Sequence, residues 1–213
     1  MKILALEFSA NERSVAVAAS APHSQANVLG LVKESSREVT GLALIDRALV
    51  IAQVNPGDIT HIIVGLGPGS YTGIRSSIAL AQGWQLGRNV QTHGLSSVQC
   101  LAAQAHASGM RGEFSIIIDA QRGDIYHQKF NFADNFSSAT ELKIAPRQSL
   151  NGASNVIGPD ASKLVPGALD LSPSAEFLVR FMHLASAHPS ELLEPIYLRE
   201  ASFVKAPPPR SII

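Results

Sequence analysis

The chain reads as an α/β protein built from two similar halves, and three features of the sequence predict this. Short β-branched apolar runs alternate along it with longer stretches at helical spacing. One such run, Ile62-Ile63-Val64-Gly65, breaks into the loop Gly67-Pro68-Gly69-Ser70-Tyr71-Thr72-Gly73 and then into a helix of mostly small residues. An opening pattern of apolar run, acid, tight turn and strand occurs twice, from Ile3 through Glu7 to Ala19 and from Ser115 through Asp119 to Phe130. A duplicated βββαβα unit would give that echo.

In chain order, residues 2–8 predict a buried strand, the turn Ser9-Ala10-Asn11-Glu12 leads into a second strand over 13–19, and Val28 to Lys33 makes a third, antiparallel neighbour. A helix over 41–54 ends at Asn55-Pro56-Gly57. The strand at 61–66 follows, then the glycine loop, a helix over 71–87, a short strand at 90–93 and a helix over 96–106 with Ser96 as its N-cap. The second half predicts strands at 115–119, 124–130, 139–145 and 154–158, a helix from Ser174 to about His188, and an extended tail ending in Pro207-Pro208-Pro209.

The glycine loop is the most informative segment. Its glycines free the backbone for positive φ or close approach, and Ser70 or Thr72 can cap the helix that follows. A binding role for the free N–H groups of that helix start stands beside a structural turn. The common phosphate-loop patterns do not match. Gly67, Gly69 and Gly73 give GxGxxxG, one residue too long for the dinucleotide fingerprint, and no Lys follows Gly73 as a Walker A loop requires. Ser70 lacks the flanking glycines of a nucleophile elbow.

With 213 residues, 46% hydrophobic and only 16% charged, the chain can bury a large core and carries apolar surface of the kind found in subunit interfaces. Net charge is zero, so no global field draws it to nucleic acid or membrane. One cysteine, Cys100, excludes an internal disulfide and fits a reducing compartment. No run approaches the length of a membrane-spanning helix, and the N-terminus does not read as a signal peptide, so a cytoplasmic protein is expected. Between Asp58 and Glu113 there is no acid, whereas Arg75, Arg88 and Arg111 fall inside; the segment is either largely buried or a locally basic face.

Two helices are unusually poor in ions. In the first, Leu42, Ile45, Leu49 and Ala52 line one stripe while Leu44, Ala48 and Ile51 line another. The second carries Arg75 as its one charge and places Gly73, Ser76, Ser77, Ala79, Ala81 and Gly83 around it. Helices apolar nearly all round are buried on two sides, either between layers of one chain or against another chain. The seven histidines form no HxxxH or HExxH pattern, and no metal site is expected. Glu7 and Asp119 stand at matching strand ends, as turn acids or as carboxylates of a nucleotide–metal site. No Ser/His/Asp or Cys/His set can be assembled, so no catalytic residue is named.

These residues resemble one family. The strand followed by Gly67-Pro68-Gly69-Ser70-Tyr71-Thr72-Gly73-Ile74-Arg75, the N-terminal ILALEFS, Ile118-Asp119-Ala120-Gln121-Arg122-Gly123-Asp124-Ile125-Tyr126 and Pro195-Ile196-Tyr197-Leu198-Arg199 are together similar to the bacterial tRNA threonylcarbamoyladenosine biosynthesis family TsaB, also called YeaZ. The match runs over most of the chain and is strongest in residues 1–130. The resemblance implies a two-lobed ASKHA fold (actin/Hsp70-like, RNase H-like), with an N-terminal lobe over 1–108 and a smaller C-terminal lobe with its tail over 109–213. It implies a non-catalytic scaffold or activating subunit without a cofactor, pairing with a TsaD-like protein and assisted by a TsaE-like ATPase. That assembly transfers threonylcarbamoyl to adenosine 37 of tRNA, which the subunit meets only through the complex; alone, the subunit forms a homodimer. On this reading Leu42, Ile45 and Leu49, with Ile74, Ile78 and Ala81, form the partner surface, Ser70, Tyr71 and Thr72 shape the helix start beside it, and Glu7, Gly67, Gly69 and Asp119 mark a vestigial nucleotide site. An Ile78→Asp change is then expected to abolish pairing and leave the monomer folded.

Two departures stand out. Glu7-Phe8 replaces the usual Asp-Thr, and Glu38-Val39-Thr40-Gly41 stands where the family opens its first helix with His-Ser-Glu. A rival reading is an ATP-dependent kinase- or hydrolase-like enzyme of the same fold using Glu7 and Asp119 around a metal; a third is a direct tRNA binder acting through the acid-free segment.

Overall fold

Two sheets, each centred on an acid-tipped strand, share one strand order. The computed structural model describes residues 1–20, 26–134, 136–150, 153–184 and 193–199. In the first sheet, β1 (Lys2–Glu7) pairs antiparallel with β2 (Arg13–Ala19), which pairs with β3 (Asn27–Glu34); on its other side β1 pairs parallel with β4 (His61–Gly65), and β4 with β5 (Gln91–Leu95). In the second sheet, β6 (Gly112–Asp119) pairs antiparallel with β7 (Asp124–Phe132), which pairs with both β8 (Phe136–Ser138) and β9 (Lys143–Pro146). On its other side β6 pairs parallel with β10 (Val156–Gly158), and β10 with β11 (Leu169–Asp170). The orders β3-β2-β1-β4-β5 and β8-β7-β6-β10-β11 therefore correspond strand for strand, and the architecture is the expected ASKHA type.

Period-two alternation explains how the first sheet covers both faces. Leu4, Leu6, Val15, Val17, Ile62 and Val64 point to one side, where α1 (Gly41–Ala52) and α2 (Tyr71–Gly87) pack on them. Ile3, Ala5, Ala16, Ala18 and Ile63 point to the other, against α5 (Ala175–Arg180) and Cys100. The three longest of the described helices start at side-chain caps. Thr40 Oγ1 accepts from Ala43 N–H, Ser70 Oγ from Gly73 N–H, and Ser96 Oγ from Val98 N–H.

The helix buried on two sides within the chain is α3 (Ser97–Ala107). Its Cys100 joins the core of the first sheet, while Val98, Leu101, Ala102 and Ala105 join that of the second. Both α1 and α2 bury one face only: Leu44, Ile45, Ala48 and Leu49 on α1, and Ile74, Ser77, Ile78 and Ala81 on α2. Small outward residues on α2 imitate an apolar face in the sequence, although they carry little area to bury.

Other boundaries shift. Of the strand expected over 139–145 only the end forms, as β9, while the separate short strand β8 precedes that span; both pair with β7. The helix expected from Ser174 is helical over Ala175–Arg180, with a 3-10 turn at Met182–Leu184. Its expected continuation to His188, His23 and the Pro207–Pro209 tail lie outside the described residues. A four-residue helix, α4 (Ala161–Leu164), packs on β6, β10 and β11. After the second sheet the chain returns: Ala175, Leu178 and Val179 of α5 pack on the first sheet.

Candidate functional site

The glycine loop is built by packing against its own lobe. Gly69 has φ +148°, and a Cβ there would run into the Ser9 carbonyl; one on Gly73 would run into the carbonyl of Phe8. Ser70 N–H donates to that same Ser9 carbonyl at 2.7 Å. The loop thus clamps the β1–β2 turn.

Glu7 lies beneath this clamp and is completely buried. Its Oε1 accepts from Ser9 N–H at 2.8 Å and its Oε2 from Ser97 Oγ at 3.0 Å, while Ser97 Oγ itself accepts from Gly67 N–H at 3.1 Å. Ser97 N–H returns to the Gly67 carbonyl at 2.8 Å. Burial pushes the Glu7 carboxyl above its ordinary range, against the lowering pull of its bonds to Ser9 and Ser97. Burial, and then the nearby Glu7, push the Cys100 thiol well up.

Between the lobes lies a cleft of about 840 Å³, floored by the β1–β2 turn, the start of α2 and the β6–β7 turn. Gly69, Ser70, Tyr71 and Asp119 line it; Glu7 and Gly67 do not. Asp119 is spent on its own turn, with Oδ1 accepting from Gln121 N–H and Oδ2 from the Gln121 side chain. The four residues expected at a nucleotide site are therefore not brought together. One carboxylate is sealed under the glycine loop and the other is tied into a hairpin. Among the described residues, no group of three metal-ligating side chains occurs.

The residues expected on the partner surface divide as well. Ile74 and Ala81 are wholly buried, and Ile45, Leu49 and Ile78 nearly so, all in the chain's own core against the sheet. Those five side chains pack in the core of the isolated chain, and Ile78 also lines the groove beside α2. Leu42 and Tyr71 are exposed, as is Thr72. The outer face of α2 is instead Thr72, Ser76, Ala79 and Gly83, one small residue per turn, ending at Leu86, which is 91% exposed. On α1 the outward apolar residues are Leu42, Val50 and Ile51. A groove of about 630 Å³ runs beside the first half of α2, with Leu193, Pro195 and Tyr197 as its far wall.

One Ser–His contact escaped the sequence because its members lie on neighbouring strands. His127 Nε2 stands 3.1 Å from Ser115 Oγ, both buried, and burial followed by Lys143 and Lys129 lowers the imidazole's pKa. Neither cleft reaches this pair.

A family model described as TsaD, tRNA N6-adenosine threonylcarbamoyltransferase, matches residues 33–172. The tRNA threonylcarbamoyladenosine biosynthesis protein TsaB of Escherichia coli (strain K12) is 28% identical over 185 residues, covering 74% of this chain and 78% of that protein. The chain belongs to this family, on its TsaB/YeaZ branch. TsaB of Haemophilus influenzae (strain ATCC 51907 / DSM 11121 / KW20 / Rd) is 24% identical over 238 residues, covering 97% of this chain and 98% of that one. The solved YeaZ from Pseudomonas aeruginosa superposes with a TM-score of 0.72 at 22% identity, over 92% of this chain and 99% of that one, and shares the fold. Among the described residues of this TsaB/YeaZ-type chain, no helix is long and apolar enough to cross a membrane.

Proposed function

We propose that the chain is a non-catalytic scaffold and activating subunit of tRNA threonylcarbamoyladenosine biosynthesis, acting in the cytoplasm by pairing with a TsaD-like protein. A TsaE-like ATPase completes the assembly, tRNA is met through the complex, and the chain pairs with a second copy of itself when the partner is absent. Membership of the TsaB/YeaZ branch supports the pathway.

The observation that carries the pairing is the outer face of α2. Thr72, Ser76, Ala79 and Gly83 follow one another at helical spacing with no ion among them, and Leu86 stands almost fully in solvent at the end. A row of small side chains lets a second helix approach closely, and a bare leucine beside it is an anchor in want of a pocket, worth roughly 1–2 kcal/mol or more when buried at an interface. Leu42, Val50 and Ile51 extend the surface onto α1, and Ser70, Tyr71 and Thr72 set the start of α2 beside it. The lobes in this reading are residues 1–108 together with α5, and 109–172. Co-purification of the chain with a TsaD-like protein from the same cell tests the proposal: a stable pair supports it, and a chain that never associates contradicts it.

A further inference from the structure

Residues 193–199 cross from one lobe to the other and are fastened at both ends. Leu193 packs against the core beneath α1 and α2, and Ile196 N–H donates to the Leu66 carbonyl at 2.9 Å, just ahead of the glycine loop. Three residues later, Arg199 Nη2 donates to Asp124 Oδ2 at 2.9 Å and to the Ala120 carbonyl at 3.1 Å, gripping the β6–β7 turn of the second sheet. Between these anchors the Tyr197 ring stacks on Tyr71, with centroids 5.4 Å apart and planes 23° apart. Arg75 holds Tyr71 in place, its Nη1 donating to the phenol oxygen at 2.9 Å and its guanidinium lying 5.1 Å from the ring centroid.

The position of the stack gives it a second property. Tyr71 and Tyr197 line both the inter-lobe cleft and the groove beside α2, so the pair is the wall between them. Away from the cleft the lobes are joined by buried apolar contacts of α3, whose Val98, Leu101, Ala102 and Ala105 pack in the core of the second sheet while Cys100 packs in that of the first. On the cleft side a further direct link is an exposed one, Asn11 Nδ2 to Asp160 Oδ2 at 3.0 Å. The strap therefore spans the cleft, with Tyr197 and Arg199 in its lining.

We propose that residues 193–199 form an inter-lobe clasp, in which the Tyr71–Tyr197 stack and the Arg199–Asp124 pair set the width of the cleft and couple it to whatever fills the groove beside α2. The clasp is a property of the isolated chain and is independent of any partner.

The test places spin labels at Asp58→Cys and Gln148→Cys, exposed positions on the two lobes, with the fully buried Cys100 left in place. The expected result is one narrow inter-label distance in the otherwise unchanged chain, and its loss to a broad distribution in Tyr197→Ala and in Tyr71→Ala, with circular dichroism unchanged. Tyr197→Phe, which keeps the ring, retains the narrow distance. Arg199→Gln gives the same broadening from the other anchor should Tyr197→Ala fail to fold. Ser76→Trp, which fills the groove without entering the cleft, shifts the same distance. A narrow, unshifted distance in Tyr197→Ala and Arg199→Gln overturns the clasp, as does equal broadening in Tyr197→Phe; an unshifted distance in Ser76→Trp overturns the coupling.

Discussion

Ser97 Oγ donates to Glu7 Oε2 at 3.0 Å while accepting from Gly67 N–H, so one hydroxyl ties the end of β1 to the glycine loop and to the start of α3. Removing it in Ser97→Ala leaves a buried carboxyl oxygen and a buried amide without their partner. The expected loss is about 1–3 kcal/mol of folding stability, read from urea unfolding at neutral pH. A change within experimental error would show that the loop does not depend on this bond.

Glu7 also makes a pH-dependent contribution of definite sign. Its pKa in the folded chain is raised above the ordinary 4.5, chiefly by burial. The folded state therefore holds the proton more tightly than the unfolded one. This contribution is complete below about pH 4.5 and is lost as the pH rises through the folded value. Glu7→Gln removes that decline, so the difference in stability between wild type and variant should change with pH in this window. Parallel stability profiles for the two proteins would refute it.

His61 and His93 act in the opposite sense. Their rings stack with centroids 5.6 Å apart, and His93 Nε2 is buried without a hydrogen-bond partner. Burial lowers both pKa values from 6.5, and His61 lowers that of His93 further. The neutral pair's contribution is present above pH 6.5 and is lost as the pH falls toward the depressed values. His93→Phe should flatten this acid-side loss, measured by thermal unfolding between pH 5 and 7; an undiminished loss would contradict it.

Much of this fold is legible in the sequence, because alternation and capping are local. β1, β2, α2 and the Ser70 and Ser96 caps fall where periodicity and cap residues place them. What the residues could not disclose is how a helix is turned. Thr72, Ser76, Ala79 and Gly83 read as apolar or neutral whichever way they face, so the sequence alone does not show that Ile74, Ile78 and Ala81 are the buried side of α2. The return of α5 to the first sheet and the Ser115–His127 contact depend on pairing between distant segments, and no local period records that. Glu7 reads as a strand-end acid in either case; only burial shows that it faces inward.

Gly83 offers a paired outcome. A Cβ there meets no atom within 4 Å, and the residue lies in an exposed helix interior. Gly83→Ala should stabilise the isolated chain by up to about 1 kcal/mol through helix propensity. Gly83→Leu should also fold but weaken pairing with a TsaD-like protein, because the added side chain holds the second helix away. Unaltered affinity in Gly83→Leu, by calorimetry or interferometry, would remove α2's outer face from the interface.

Mg–ATP supplies a check on the enzyme reading. Glu7 is sealed under the glycine loop while Asp119 lines the cleft and accepts two bonds from Gln121, so the two carboxylates do not face one site. Titration of the isolated chain with Mg–ATP should give no turnover, and Asp119→Asn should not change that. Turnover abolished by Asp119→Asn would establish the rival.

Co-expression with a TsaD-like protein, read on a sizing column, tests the subunit account most directly. Leu86 is almost fully exposed, so Leu86→Asp should leave folding stability within about 0.5 kcal/mol. Ile78 is 6% exposed in the core, and Ile78→Asp should cost several kcal/mol and unfold the chain, not merely unpair it. The account predicts that wild type co-elutes with the partner while folded Leu86→Asp elutes alone. Co-elution of Leu86→Asp at wild-type yield, or a wild-type chain that elutes without the partner, would contradict it.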